Sequence, residues 1–378
     1  MTDATNDYLI SACYRRPTPR TPVWIMRQAG RYLPEYRAVR AKVDFLTLCR
    51  TPALAAEVTI QPVDIVGVDA AIIFSDILVV PEAMGMRLVV GEGRGGPRFP
   101  DRIDTRSAIE KLSVPDPHDR LRYVMDALSL TRRELRGRVP LIGFSGSPWT
   151  LAAYMVEGSG SREFARVMAM TRESRGDLHL LLEKLARSVT AYLLAQVGAG
   201  AQVLQIFDTW GGLLAGNDFD EFSLGYIASI VNDLPTDRVP VIVFCKDCGQ
   251  AIEKIAATGC QTVGLDSATD IRAARETVGE VVSLQGNLEP AFLRSGTDTI
   301  RKKTAEILAG YGPGNGHIFN LGHGILPDIP VENVKELVRF VKSESARYHT
   351  GNVNHNGTST KKGQNHGKKQ ESPHRRSQ

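Results

Sequence analysis

The chain predicts an α/β fold, a single-domain (β/α)8 barrel of the TIM type with its active site at the C-terminal ends of the strands, and three observations carry that prediction. Eight short runs rich in β-branched residues recur along the sequence. Each is continuously apolar, without the alternation of a half-exposed strand, as strands buried on both faces are. Between them lie longer segments of helical period, the pattern of a parallel sheet with crossover helices. An open doubly wound sheet shares the alternation and is the competing architecture, because counting strands does not show closure.

The runs fall at residues 23–26, 70–74, 141–144, 203–207, 241–244, 262–265, 282–285 and 318–320. Among the helices, residues 119–136 put Leu121, Val124, Leu128 and Leu135 on one stripe and stop at Gly137. Residues 177–197 form another, ending at Gly198. The last follows Pro330, a residue suited to a first helical turn, with Val331, Val334, Leu337, Val338 and Val341 facing inward. Residues 86–99 break the pattern and predict a hairpin excursion after the second strand.

A chain of 378 residues with 42% hydrophobic content can bury one large core. The expected organisation is a barrel over residues 1–348 and a basic tail over 349–378. Residues 351–378 hold six Lys/Arg and one Glu, so the net charge of +4 falls to about −1 for residues 1–350. That near-neutral body argues against nucleic-acid or membrane partners. The tail has one Val and no other large apolar residue, which predicts disorder. The N-terminal ten residues carry Asp3 and Asp7 and lack the basic and apolar regions of a signal peptide. The longest uncharged stretch, residues 188–207, is broken by three Gln and two Gly and reads as helix end, turn and strand. Five cysteines, an odd number in a long chain, fit a reducing, cytoplasmic location.

In a barrel the chemistry sits in loops after the strands, and the residues that packing does not explain fall there. Arg27 and Arg31 follow the first run and Ser75–Asp76 the second. The third is followed by Ser145–Trp149 and Tyr154, and the fourth by Asp208, Thr209 and Trp210. Cys245 and Lys246, then Asp266, then Gly286 and Asn287, and finally His323 between Gly322 and Gly324 follow the rest. Arg27 and Arg31 are four apart, one helical face if the segment turns, and would clamp carboxylates bidentately. Their competing role is a solvated surface pair. Asp76, partly dehydrated at the mouth, needs a cation or several N–H donors; the competing role is a cap on the next turn. His323 is placed where backbone can approach a ligand, or is a loop histidine bonded to a carbonyl. Tyr154 could equally be a core ring, and Thr209 a turn cap.

Three signals are discounted. Gly91–Gly96 matches G-x-G-x-x-G, but Pro97 follows and no helix opens there. Cys245 and Cys248 match C-x-x-C without a second ligand pair at zinc spacing. Glycines after the last two strands suit phosphate, a reading that His323 makes less persuasive.

The segments MRQAGRYLPEYR (26–37), FSDIL (74–78), GFSGSPWTLAAYMVEG (143–158), IFDTWGG (206–212), LQGNLEP (284–290) and FNLGHGI (319–325) occur in that order. In them the chain resembles the uroporphyrinogen decarboxylase family over about residues 8–345. The resemblance implies that Arg27 and Arg31, with Gln28, Ala29 and Gly30 between them, bind substrate carboxylates. It implies that Asp76 is catalytic, accepting bonds from pyrrole N–H groups and stabilising cationic intermediates. Tyr154, Thr209 and His323 would complete the cleft. It further implies conversion of uroporphyrinogen III to coproporphyrinogen III, no cofactor, no metal, and a homodimer. A guanidinium holds its proton too tightly to be a ready acid, so the resemblance does not make Arg27 the proton donor. Ser267 and Cys248 depart from the pattern, where Trp and Gly respectively are usual.

Two rivals stand beside this reading. Corrinoid-linked methyltransferases resemble the fold but use zinc on a His-x-Cys pair near the fifth strand, where this chain has Lys246 before Cys248. A non-catalytic tetrapyrrole carrier would need the arginines but not Asp76.

Overall fold

A computed structural model describes residues 6–91 and 96–349. The expected tail, 349–378, lies outside the described residues except for His349. That residue is buried against Thr18 and Thr21, so the packed body extends to it.

The sheet has seven parallel strands: β1 (Ala71–Ile72), β4 (Leu141–Gly146), β5 (Val203–Asp208), β6 (Val241–Cys245), β7 (Thr262–Gly264), β8 (Ser283–Gln285) and β9 (His317–Ile318), paired in that order. Between the first two, β2 (Val89–Val90) and β3 (Pro97–Arg98) pair antiparallel, which is the predicted hairpin. All six residues of β4 and all five of β6 are buried, which is why these runs carry no polar alternation.

The eighth position is filled by residues 23–26, which form a single bridge, Val23 to Phe319, and no ladder. Main-chain bonds tie this segment to both neighbours: Phe319 N–H donates to Pro22 O (2.8 Å) and Asp69 N–H to Val23 O (2.7 Å). On the β1 side, side chains replace the remaining backbone partners. The Asp69 carboxylate accepts from Val23 N–H (3.0 Å). The Gln28 amide accepts from Ile25 N–H (3.1 Å) and donates to Ala70 O (2.9 Å). The ring closes, in agreement with the predicted barrel, and its seam runs through two side chains.

The helices form the outer layer. Arg122–Leu135 ends on a left-handed Arg136, and Arg175–Gly198 packs against β4. Val331–Glu344 follows Pro330, which stands just before the helix, and buries Val334, Leu337, Val338 and Val341. Pro148–Glu157 starts on a Ser147 cap whose hydroxyl accepts from Thr150 N–H. The packing of Trp24 and Gln285 inside the barrel is polar as well as apolar, since the indole N–H donates to the amide (2.8 Å).

Candidate active site

A cleft of about 1380 Å³ opens at the C-terminal ends of the strands. Its floor is aromatic. Phe144, Phe207 and Phe244, from three successive strands, stack edge to face at 5.8 and 6.1 Å. Its rim is cationic, lined by Arg27, Arg31, Arg37 and Arg40. Apolar ground beneath fixed positive charge suits a large, flat, carboxylate-bearing ligand.

The arginine segment is a series of turns before the helix Pro34–Arg40, so Arg27 and Arg31 do not share a helical face as expected. They line one cleft for another reason. Arg27 adopts a left-handed backbone (φ 63°), a conformation that costs energy in a non-glycine residue and concentrates at functional positions. Two glycines make room. A Cβ on Gly30 would lie 2.8 Å from Arg27 O, and one on Gly324 would lie 2.3 Å from the Arg27 side chain. Arg37 fixes the far end by donating to Arg31 O (2.8 Å). Ala29 and Gly30 line the cleft. Gln28 does not: its side chain is fully buried in the barrel seam, already bonded to main chain, so the expected substrate contact is corrected to a structural one for that side chain.

Asp76 follows β1 and lines the cleft. Its Oδ1 accepts from Leu78 N–H (2.8 Å), so the cap role is real. Among the described residues, no hydrogen bond engages Oδ2. Burial pushes its pKa above the ordinary carboxylate range, with the Leu78 bond and the Arg27 charge opposing.

His323 lines the same cleft, and burial followed by the charges of Arg27 and Lys246 takes its pKa down to about 4. It is therefore neutral near pH 7. Protein atoms closely approach both flanking glycines, and Gly324 also lines the cleft. Gly324 lies under Arg27, and a Cβ on Gly322 would meet Ser267 N at 2.2 Å. Thr209 lines the cleft; Tyr154 does not, and its ring lies against Trp210 and Phe164. Burial raises the Tyr154 pKa, with Trp210 opposing.

Asp266 is occupied internally, accepting from Thr269 N–H and Oγ1 and from Asp247 N–H. Cys245 and Cys248 are both buried, and Lys246 pairs with Asp247. Among the described residues, no three His, Cys, Asp or Glu side chains gather at metal-binding spacing. Gly91 and Gly96 are cleft wall at the hairpin. The reading of residues one by one missed Arg40 and the aromatic floor. The signal was available: a Phe closing three successive apolar runs, and an Arg three residues beyond Arg37.

A closed parallel barrel whose mouth combines a cationic rim, an aromatic floor and a half-buried carboxylate belongs to the class of barrel enzymes acting on large anionic substrates. The matching family model is Uroporphyrinogen decarboxylase (URO-D), over residues 4–344, and the chain belongs to that family. It is 53% identical over 355 residues to the uroporphyrinogen decarboxylase of Nitrosococcus oceani, covering 93% of this chain and 99% of that one. It is 53% identical over 354 residues to that of Pseudomonas putida, covering 92% and 100%. A solved methyltransferase from Methanosarcina mazei superposes with a TM-score of 0.76 at 22% identity, covering 90% and 98%, which shows a shared fold.

Proposed function

We propose that the chain decarboxylates the four acetate side chains of uroporphyrinogen III to methyls, giving coproporphyrinogen III in tetrapyrrole biosynthesis. One observation carries the mechanism: a half-buried carboxylate with an oxygen to spare, set in a cleft rimmed by arginines.

Loss of CO2 from an acetate needs an electron sink. Protonation of the adjacent pyrrole at ring carbon supplies one. The C–C bond electrons flow into the cationic ring as CO2 leaves, a proton adds to the exocyclic methylene carbon, and loss of the ring-carbon proton restores the neutral pyrrole. Asp76 accepts the pyrrole N–H groups and balances the ring's positive charge, an interaction that strengthens as the charge develops. In the free protein burial favours its protonated form. N–H donors and a cationic ring favour the carboxylate, so the charge is present when the ligand is. Arg27 and Arg31 hold peripheral carboxylates, with Arg37 and Arg40 at the same rim. A charge-assisted bond contributes about 1.5–3 kcal/mol. Ala29, Gly30 and Thr209 shape the wall, Tyr154 supports it, and His323, neutral, offers a donor and an acceptor in one ring.

We also infer a homodimer working in the cytoplasm. Family resemblance supports the first. All five cysteines being free, and no helix of the described residues being long and apolar enough to cross a membrane, are compatible with the second.

The test is chromatography of products after anaerobic incubation with uroporphyrinogen. Stepwise loss of carboxylates ending at coproporphyrinogen is expected, at a rate unchanged by a chelator. Unaltered substrate would overturn the assignment, and activity lost together with stoichiometric zinc would favour methyl transfer.

A further inference from the structure

Asp208 ends β5 one residue before Thr209, is fully buried, and has no cation among its hydrogen-bond partners. Three hydroxyls hold it. Ser147 and Thr150 donate to Oδ1 (2.6 and 2.8 Å), and Ser223 donates to Oδ2 (2.6 Å). An uncompensated buried carboxylate is costly, so this arrangement requires an explanation that Thr209 and Tyr154, the residues assigned on either side of it, do not give.

A carboxylate accepts at both oxygens, so each hydroxyl must turn its proton inward and its lone pairs outward. Those lone pairs are used. Ser147 Oγ accepts from Thr150 N–H (3.0 Å), starting the helix that carries Tyr154. Thr150 Oγ1 accepts from Trp210 N–H (3.2 Å), and Trp149 donates its indole N–H to Trp210 O (2.9 Å). Thr209 is thereby flanked by two clamped residues, Asp208 and Trp210. The Trp210 ring in turn packs on Tyr154, with centroids 6.2 Å apart. A Cβ on Gly211 would lie 2.4 Å from Asp208 Oδ2, so the turn closes directly on the carboxylate.

We propose that Asp208, acting through Ser147 and Thr150, is a positioning residue that fixes the Thr209 and Tyr154 wall of the cleft without touching substrate. The inference rests on the decarboxylase reading above.

Thr150→Val keeps the volume and removes both bonds of the hydroxyl, whereas Thr150→Ser keeps them. Steady-state decarboxylation of uroporphyrinogen is measured for wild type and both variants. A displaced wall weakens binding in ground and transition states alike, so Thr150→Val should raise KM on the order of tenfold while kcat moves by less than about threefold. Thr150→Ser should restore KM. A merely structural lesion would lower the folded fraction, and so the apparent kcat, at constant KM. An unchanged KM in Thr150→Val, or a Thr150→Ser variant as poor as it, overturns the proposal. If Thr150→Val does not fold, Asp208→Asn, nearly isosteric and turning an N–H2 towards hydroxyls that now donate to a carboxylate, decides by the same criterion. A wild type that does not decarboxylate at all would instead overturn the functional assignment, so the two failures are distinguishable.

Discussion

Strand β1 has an aspartate beyond each end, Asp69 on the barrel floor and Asp76 at the mouth, and the two carboxylates meet different surroundings. Asp69 is fully buried and surrounded by donors. It accepts two bonds from Arg20 (2.6 and 2.8 Å), one from Asn6 and one from Val23 N–H, with Lys342 at 3.1 Å. Burial alone would raise its pKa, but the Arg20 fork overrides burial and holds it below the usual range. Asp76 has one backbone N–H, a more distant Arg27 charge and an unused oxygen, so burial prevails and its pKa rises. The same side chain is a structural tie where donors are supplied and, in the mechanism proposed above, the catalytic group where they are withheld.

The largest expected effect is on the floor. Asp69→Asn leaves Arg20 and Lys342 without their anion and loosens the seam between residues 23–26 and β1, costing on the order of 3–5 kcal/mol in denaturant unfolding. Turnover per folded molecule should be unchanged. Because the folded-state pKa is lowered, this stabilisation is present at neutral pH and lost as pH falls through the folded value.

At the mouth the prediction reverses. Asp76→Asn should lower kcat by about 10²–10³, the scale of one preorganised electrostatic contact, with no loss of stability. Its folded-state pKa is raised, so the carboxylate's contribution is favourable at low pH and lost as pH rises through that value. At neutral pH the neutral amide should therefore leave the thermal midpoint equal or higher. Asp76→Glu should keep more activity than Asp76→Asn if charge dominates.

A smaller effect is expected from Arg31→Lys. It keeps charge and loses the bidentate fork, so KM should rise by about tenfold, equivalent to roughly 1.4 kcal/mol. A null result is expected for His323. With its pKa near 4, its ring resonances in the free protein should not titrate between pH 5 and 8. A midpoint near 6.5 would mean that water reaches the ring freely in the cleft.

The eight strand runs were legible because parallel barrel strands are apolar throughout, and the order of the mouth residues followed from strand ends alone. Gln28 was not legible. Inside MRQAGR it has the same standing as its arginine neighbours, and only the geometry of the seam shows that its amide replaces a backbone partner. The same holds for the glycines around His323, whose close approach is to Ser267 and Arg27. Asp69 escaped notice for a third reason. Its partners, Arg20 and Lys342, lie far from it in sequence, so no local pattern marks the pair. Asp76 was legible because it follows an apolar strand with no neighbouring cation to neutralise it.

The contrast between the two aspartates is tested most directly by titrating both in one free protein, with aspartate 13C-labelled at the side-chain carboxyl and resonances assigned through Asp69→Asn and Asp76→Asn. Asp76 should titrate above the ordinary aspartate value of about 3.9 and Asp69 below it. Coincident midpoints, or an Asp76 midpoint at or below that of Asp69, would contradict the account.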